Sequence, residues 1–352
     1  MFSILLFFRK KIVGRLHYSK VKAALLFLCI LWYSASGYLF FELPQKPDLG
    51  WADSLWWTLV TMSTVGYGDL FPSTVAGRYL VGVPTMIFGI GFLGFIISEV
   101  ASKLIETRSR RLQGMLDVTM KNHVVLVNCT RIEEILGLLQ ELKADDSTAG
   151  KGVCLIDEFL AEIPPVLHDM GVHFVRGNPT DVDVLQRANL QQASHAIILL
   201  RDRCDSHADD QNLVTVLVIE KLNPDVFTIV EVMDSRKTRQ FELTGADSIV
   251  CTSDLTVNLI VQELQDPGVQ AIVQDLTSNA GGEQFYLVPI REMREWRYRE
   301  LVLWALERQM SVIGLVRDGA SLLGCRADDE VRPADRAVLI GSRRPREIST
   351  VS

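Results

Sequence analysis

The 352-residue sequence is short of several features that would assign it to a common class. Its six cysteines (Cys29, Cys129, Cys154, Cys204, Cys251 and Cys325) include no C-x-x-C pair and are scattered one per element. That argues against a disulfide framework or a structural zinc site and places the polar part of the chain in a reducing compartment. No arginine-rich apolar helix is present, so no voltage sensor is expected. No nucleophile, base and orienting residue form a set, and His123, His168, His173 and His195 flank strands, where packing accounts for them. The chain is therefore expected not to be an enzyme. With a net charge of −7, no nucleic-acid partner is expected either.

Charge itself is scarce in the first hundred residues, although the whole chain is 22% charged. Ala23–Phe41 and Tyr79–Ser98 carry none. Each is close to the ~20 residues that cross a ~30 Å hydrocarbon layer as a helix. The uncharged run between them, Ser54–Gly68, is too short to cross, and non-helical backbone at membrane depth persists only where protein buries it or it lines a watery path. It is expected to enter and leave on one side. Basic residues before the first run (Arg9, Lys10, Lys11, Arg15, Lys20, Lys22) and after the second (Lys103, Arg108, Arg110, Arg111) place both termini in the cytoplasm. Residues 1–21 read either as an interfacial segment, with Ile4, Leu5, Phe7 and Phe8 dipping into lipid, or as a basic tail. They lack the cleavage site and the charge order of a signal peptide.

The short run ends in Thr64-Val65-Gly66-Tyr67-Gly68-Asp69. Its chemistry suits a dehydrated cation. Backbone carbonyls of Thr64, Val65, Gly66 and Tyr67, repeated around an axis, replace the hydration shell of K+. Glycine at 66 and 68 permits the left-handed backbone that turns successive carbonyls inward. Asp69 is expected to brace the outer end, and Tyr67 to wedge against Trp56 and Trp57. A pore helix is expected over 54–62, capped by Asp53 or Ser54, with its negative end toward the cation. These six letters match the potassium-channel signature, and the resemblance implies a homotetramer in the lipid bilayer, since one copy cannot ring an ion. In the second span, Gly89 and Gly91 read as a gating hinge or as close helix packing.

From Asn122 onward, short apolar runs alternate with amphipathic ones: His123–Val127, Val153–Ile156, Val172–Val175, Ala196–Leu200, Phe227–Val232 and Ser248–Cys251 as strands, with helices between. This predicts a parallel, doubly wound α/β sheet. A smaller α+β lobe follows, with strands at Phe285–Val288, Val312–Val316 and before Ile340. The phrases from Val172 to Asp181, Asn189 to Ala196, Glu220 to Pro224 and Leu243 to Ile249 resemble the RCK (regulator of K+ conductance) domain, over about residues 121–342. The whole chain thus resembles a bacterial two-transmembrane potassium channel gated by a ligand. That implies an inner-membrane protein with paired cytosolic RCK domains. The expected layout is a pore domain over 22–100 (spans 23–41 and 79–98), a linker over 101–120, a Rossmann-like domain over 121–265 and a C-terminal lobe over 266–352.

The ligand is less legible. A dinucleotide site needs G-x-G-x-x-G after the first strand, so that backbone approaches the pyrophosphate; here the residues read Asn128-Cys129-Thr130-Arg131-Ile132-Glu133. Thr130 and Arg131 nevertheless offer phosphate contacts. Asp157 and Glu158 end the second strand where a ribose-binding acid belongs, and Arg176, Gly177 and Asn178 follow the third. NAD, ADP or ATP is one expected ligand; a fold that binds nothing is the alternative. Ca2+ is the rival. Asp202, Asp205, His207, Asp209 and Asp210 crowd one loop, and oxygen donors suit that ion. By resemblance to a calcium-gated relative, Asp205 and Glu231 match ligand positions and Met233 departs from one. Asp209 reads as a further ligand or as a helix cap. The reading from another class is a membrane-tethered nucleotide or redox sensor, dehydrogenase-like but without conduction.

Overall fold

The computed structural model describes residues 2–129, 131–145, 147–205, 207–279, 281–291, 296–345 and 347–348, with side chains described from residue 22 onward. It divides into two compact units, Met1–Ser109 and Arg110–Ser352.

In the first unit, α1 (Phe2–Glu42) is one unbroken helix. The side chains read as interfacial, Ile4 to Arg15, lie outside the described residues. α2 (Trp51–Met62) begins at Trp51 instead of the expected Ser54. The reason is the cap. Gly50 takes the N-cap position, and Asp53, already inside the helix, reaches back to accept the Gly50 N–H at 2.9 Å. Ser54 lies inside the helix as well, donating its hydroxyl to the Gly50 carbonyl at 3.1 Å.

A π-helical turn, Gly77–Gly82, leads into α3 (Val83–Leu112). Pro84 supplies a cause: it brings no N–H for the Leu80 carbonyl four residues earlier. The Tyr33 hydroxyl of α1 donates to that carbonyl at 2.5 Å, so a polar group at membrane depth finds a partner on the neighbouring helix. At the other end of α1, the buried Glu42 carboxylate accepts the backbone N–H groups of Ser73 and Thr74 at 2.9 and 3.0 Å, just before the π turn. Tyr38 stacks on Trp57 at 4.2 Å and, with Leu49 and Val81, forms the small core where α1, α2 and the π turn meet. Lys22–Glu42 and Gly77–Leu112 are long and apolar enough to cross a membrane. Because α3 continues to Leu112, the first part of the expected linker is helical.

The second unit opens with β1 (His123–Val127), α4 (Ile132–Ala144), β2 (Val153–Asp157), α5 (Pro165–Asp169), β3 (His173–Arg176), α6 (Val182–Arg187), β4 (Ala193–Ile198), α7 (Ala208–Leu222), β5 (Phe227–Val232), α8 (Thr238–Thr244) and β6 (Ser248–Cys251). All strand pairs are parallel, in the order β3-β2-β1-β4-β5-β6. Every residue of β1 and β2 is buried, as expected for strands covered on both faces. Val125, Val127, Cys154 and Ile156 pack into one core layer, and Val124, Leu126, Val153 and Leu155 into the other. The strand order reverses between β1 and β4. In such sheets the ligand crevice lies there, at the carboxyl ends of the strands.

Two helices that the sequence pattern did not single out follow, α9 (Thr252–Gln265) and α10 (Val269–Thr277). The lobe then adds β7 (Gln284–Pro289), α11 (Tyr298–Leu306), β8 (Ser311–Arg317), β9 (Ala320–Leu323) and β10 (Arg336–Gly341), an antiparallel sheet in the order β7-β10-β8-β9. Its core holds Tyr286, Val288, Leu301, Leu315 and Leu339. The buried Asp335 carboxylate accepts both Nε and Nη2 of Arg317, at 2.8 and 2.7 Å.

Candidate functional site

Two sites emerge, one in each unit. The first is the loop after α2. Its backbone alternates in hand: φ is 62° at Thr64, 57° at Gly66 and 77° at Gly68. Glycine accepts this conformation freely, but Thr64 is β-branched, and holding it there requires support from its surroundings. The support is visible. The Val65 and Gly66 N–H groups both donate to the Val60 carbonyl of α2, at 3.1 and 3.3 Å. The Trp56 indole donates to Asp69 at 2.8 Å, and its ring stacks on Tyr67 at 5.9 Å. Asp69 also accepts the Leu70 N–H at 2.9 Å. Trp57 takes no part in this clamp, contrary to expectation, because its ring is engaged by Tyr38. The left-handed Thr64 went unnoticed in the sequence, where the glycines alone drew attention.

Gly89 of α3 backs onto this loop's foundation. A Cβ there would lie 2.6 Å from the Met62 Cα and 2.8 Å from its carbonyl oxygen. Close packing therefore explains Gly89 without a hinge. Gly91, by contrast, faces open space in the single chain.

The second site is a cleft of about 340 Å³ at the carboxyl ends of the parallel strands. It gathers Asn128 after β1, Glu158 and Phe159 after β2, Asn178 to Thr180 after β3, Arg201 after β4, and the first turn of α7. The Arg201 guanidinium lies 4.5 Å from the centroid of the Phe159 ring and 3.9 Å from Asp205. Asn178 is held by accepting the Thr180 N–H and hydroxyl at 3.0 and 2.7 Å. Asn128 adopts φ 70°, and its amide donates to the Leu199 carbonyl at 2.9 Å. It occupies the left-handed position where a dinucleotide loop has glycine.

The expected nucleotide residues separate. Asn128, Glu158 and Asn178 line the cleft. Asp157 does not: its buried carboxylate accepts the N–H groups of Cys129, Phe159 and Leu160 at 2.8–2.9 Å, locking the β2 exit. Cys129 contributes its backbone to that lock, and burial, with the Asp157 charge, pushes its thiol up to about 11. Arg176 and Gly177 instead border a separate recess with Gly114 and Arg187. Thr130 lies outside the described residues. Arg131 is drawn away by Glu134, whose carboxylate also accepts Arg203 at 2.8 Å. Burial alone would raise the Glu134 carboxyl, but the bonds from Arg203 and Arg131 outweigh it and hold it below the usual range. With Glu133 and Glu134 in its first turn, the start of α4 already carries the negative charge that its dipole favours. A phosphate in this cleft is met better by Arg201 than by α4. Phe159, Thr180 and Arg201 were missed in the sequence because no motif marks them; only the sheet brings them together.

The residues proposed for Ca2+ do not converge. Glu231 accepts the Leu200 N–H at 3.0 Å and pairs with Arg203 at 3.0 Å. Asp209 is buried and accepts the Met233 and Asp234 N–H groups at 2.9 and 3.0 Å. Asp205 accepts the His207 N–H at 2.9 Å. Among the described residues, no three His, Cys, Asp or Glu side chains are grouped to hold a metal.

Residues 25–106 match the family model described as "Ion channel", and residues 137–252 match that of the TrkA-N domain. The chain thus joins a match to an ion-channel domain with a match to a TrkA-N domain, and relatives that share this length are potassium channels. One relative is the "Putative potassium channel protein YugO" of Bacillus subtilis, 27% identical over 91% of this chain and 95% of that protein. Another is the calcium-gated potassium channel TvoK of Thermoplasma volcanium, 25% identical over 67% of this chain and 66% of that one. Among solved structures, the human SLO3 gating ring superimposes with a TM-score of 0.50 at 15% identity, over 62% of this chain and 44% of that chain, a likeness of fold. The channel domain contains the loop at 64–69, and the TrkA-N match contains the cleft at the strand ends.

Proposed function

We propose that four copies of the chain form a K+-selective pore whose opening is set by a ligand bound in the cytosolic unit. The observation that carries this reading is the clamped loop at 64–69. Its alternating backbone suits a ring of four copies in which the carbonyls of Thr64, Val65, Gly66 and Tyr67 face a common axis, and Trp56 holds its outer end through Asp69 and Tyr67. Four such loops give each dehydrated K+ ion oxygen from all sides. α2 aims its carboxyl end at the same axis, where the helix dipole favours a cation. Lipid faces the exposed apolar side chains of α1 and α3, with both termini cytoplasmic in a bacterial inner membrane.

The cytosolic units pair through α9 and α10. Neither helix buries a residue in the single chain, and Leu255, Ile260, Leu264 and Ile272 are exposed. Apolar faces of this extent are covered by a partner in working proteins, and a two-fold pairing would join like faces. The ligand we assign to the strand-end cleft is a nucleotide (NAD, ADP or ATP), with Arg201 meeting phosphate and Asn128, Asn178 and Thr180 supplying polar contacts. Ca2+, in keeping with the relative named as calcium-gated, is the competing ligand. Binding shifts the pore only as far as the ligand prefers one state of the ring, and the helical segment at the end of α3 carries that preference to the span. Fluxes from liposomes reconstituted with the full chain test the reading. K+ should leave and Na+ should stay, at a rate changed by one of these ligands; equal K+ and Na+ flux contradicts it.

A further inference from the structure

A polar cavity of about 710 Å³ in the second unit belongs neither to the pore nor to the strand-end cleft. It opens where the Rossmann-like domain meets the C-terminal lobe. One wall is the end of α4 and the turn after it, with Asp145 and Ser147. The other walls are Asn279, Gly282, Tyr286 and Pro289 and the residues just after β10, including Arg343 and Arg344. The two lobes are tied beside it, where the Glu141 carboxylate accepts the Ser278 hydroxyl at 2.9 Å and the Asn279 amide donates to the Glu141 carbonyl at 3.3 Å.

The charges here are unequal. The acid of the cavity, Asp145, accepts the Ser147 N–H at 2.8 Å and the Ser147 hydroxyl, and these bonds, with a smaller share from the Arg344 charge, hold its carboxyl below the usual range. The Arg344 guanidinium lies 5.6 Å from the centroid of the Tyr286 ring. Among the described residues, neither Arg343 nor Arg344 has a carboxylate within salt-bridge distance, unlike Arg317, Arg203 and Arg131, which are all paired. Two consecutive guanidinium groups beside amide and hydroxyl donors are matched to a doubly charged, multi-oxygen anion, because each presents a planar fork of N–H groups. The volume lies within the range of small-molecule sites and exceeds what a bare inorganic ion needs.

We propose that this interlobe cavity is a second ligand site, which takes a small phosphate-bearing molecule on Arg343 and Arg344. Such a ligand would touch both lobes at once and stiffen their junction, independently of whatever fills the strand-end cleft. Calorimetric titration of the full-length protein in detergent, with inorganic pyrophosphate as the probe, tests it. The wild type should bind, and in the R201A background, which removes the strand-end cleft's own phosphate contact, binding should persist and should weaken at least tenfold when R343A/R344A is added. S147D, which places a carboxylate opposite the arginines without removing either, should weaken binding in the same way; it serves if the double variant fails to assemble on size exclusion. Absence of binding to the wild type, unchanged affinity on adding R343A/R344A or S147D, or loss of binding in R201A alone would each overturn the proposal. The last result would put the anion in the strand-end cleft.

Discussion

The two units of the molecule bury themselves in opposite ways. In the second unit every residue of β1 and β2 is out of solvent, and side chains such as Leu126, Leu155, Ile156 and Leu185 are enclosed by their own chain. In the pore unit the enclosed side chains are few, chiefly Tyr38, Trp57 and Val81, while Trp32, Phe40, Ile87 and Ile105 are exposed. The parallel sheet of the second unit is enclosed by its own chain, whereas the first unit leaves most of its large apolar side chains exposed. The functional sites differ in parallel. The loop at 64–69 is made of consecutive residues and works through backbone, so a short stretch of sequence specifies it. The strand-end cleft is made of side chains from four strand exits and a helix, so it exists only once the sheet has formed.

The sharpest way to break this contrast is at the loop. Gly66→Ala places a Cβ on a residue at φ 57°, which costs about 1–2 kcal/mol per subunit and misdirects a carbonyl in all four copies. Loss of K+ over Na+ preference in liposome flux is expected, with the tetramer still assembled on size exclusion.

The largest effect on stability should come from the lobe. Asp335 is buried and its carboxyl lies below the usual range, because Arg317 outweighs the burial that would raise it. Asp335→Asn breaks that pair at a cost of about 3 kcal/mol. A lowered carboxyl contributes stability that is present at neutral pH and lost as pH falls through its folded value. Acid should therefore destabilise the wild type progressively as pH falls through the carboxylate range, and the variant less steeply, as read by denaturant midpoints of tryptophan fluorescence across pH.

Smaller effects separate packing from gating within the pore. Gly89→Ala forces α3 away from Met62 and should cost about 1–3 kcal/mol of thermal stability. Gly91→Ala should leave stability within about 0.5 kcal/mol, so a change in open probability there would mark a hinge. The smallest expected change is Tyr33→Phe, which removes the donor to the Leu80 carbonyl; interhelical bonds of this kind are worth about 0.6 kcal/mol in membranes. Thermal melting in one detergent ranks all three.

How much was readable follows from the same contrast. The six strands of the parallel sheet stand close to where alternating apolar runs placed them, because burial on both faces writes a strong pattern. α9 and α10 escaped notice although their apolar residues, such as Val269, Ile272 and Val273, recur at helical spacing; neither helix buries a residue in the single chain. The cap of α2 was misplaced because a glycine can hold the N-cap position while Asp53 acts from inside the helix. At the cleft, Asn128 and Asn178 were reachable by their place after strands, but Asp157 was misread, since a carboxylate ending a strand serves backbone N–H groups as readily as a ribose. Asp205 and Glu231 were grouped by resemblance to a calcium-gated relative and Asp209 by its place in the acidic loop, whereas the fold gives each a separate partner.

The central claim is that a clamped, alternating backbone loop alone sets which ion passes. The direct test is the reversal potential of the full-length protein in planar bilayers with K+ on one side and equimolar Na+ on the other. A potential close to the K+ equilibrium value, collapsing toward zero in Gly66→Ala, is the predicted result. A wild-type reversal potential near zero would contradict the account.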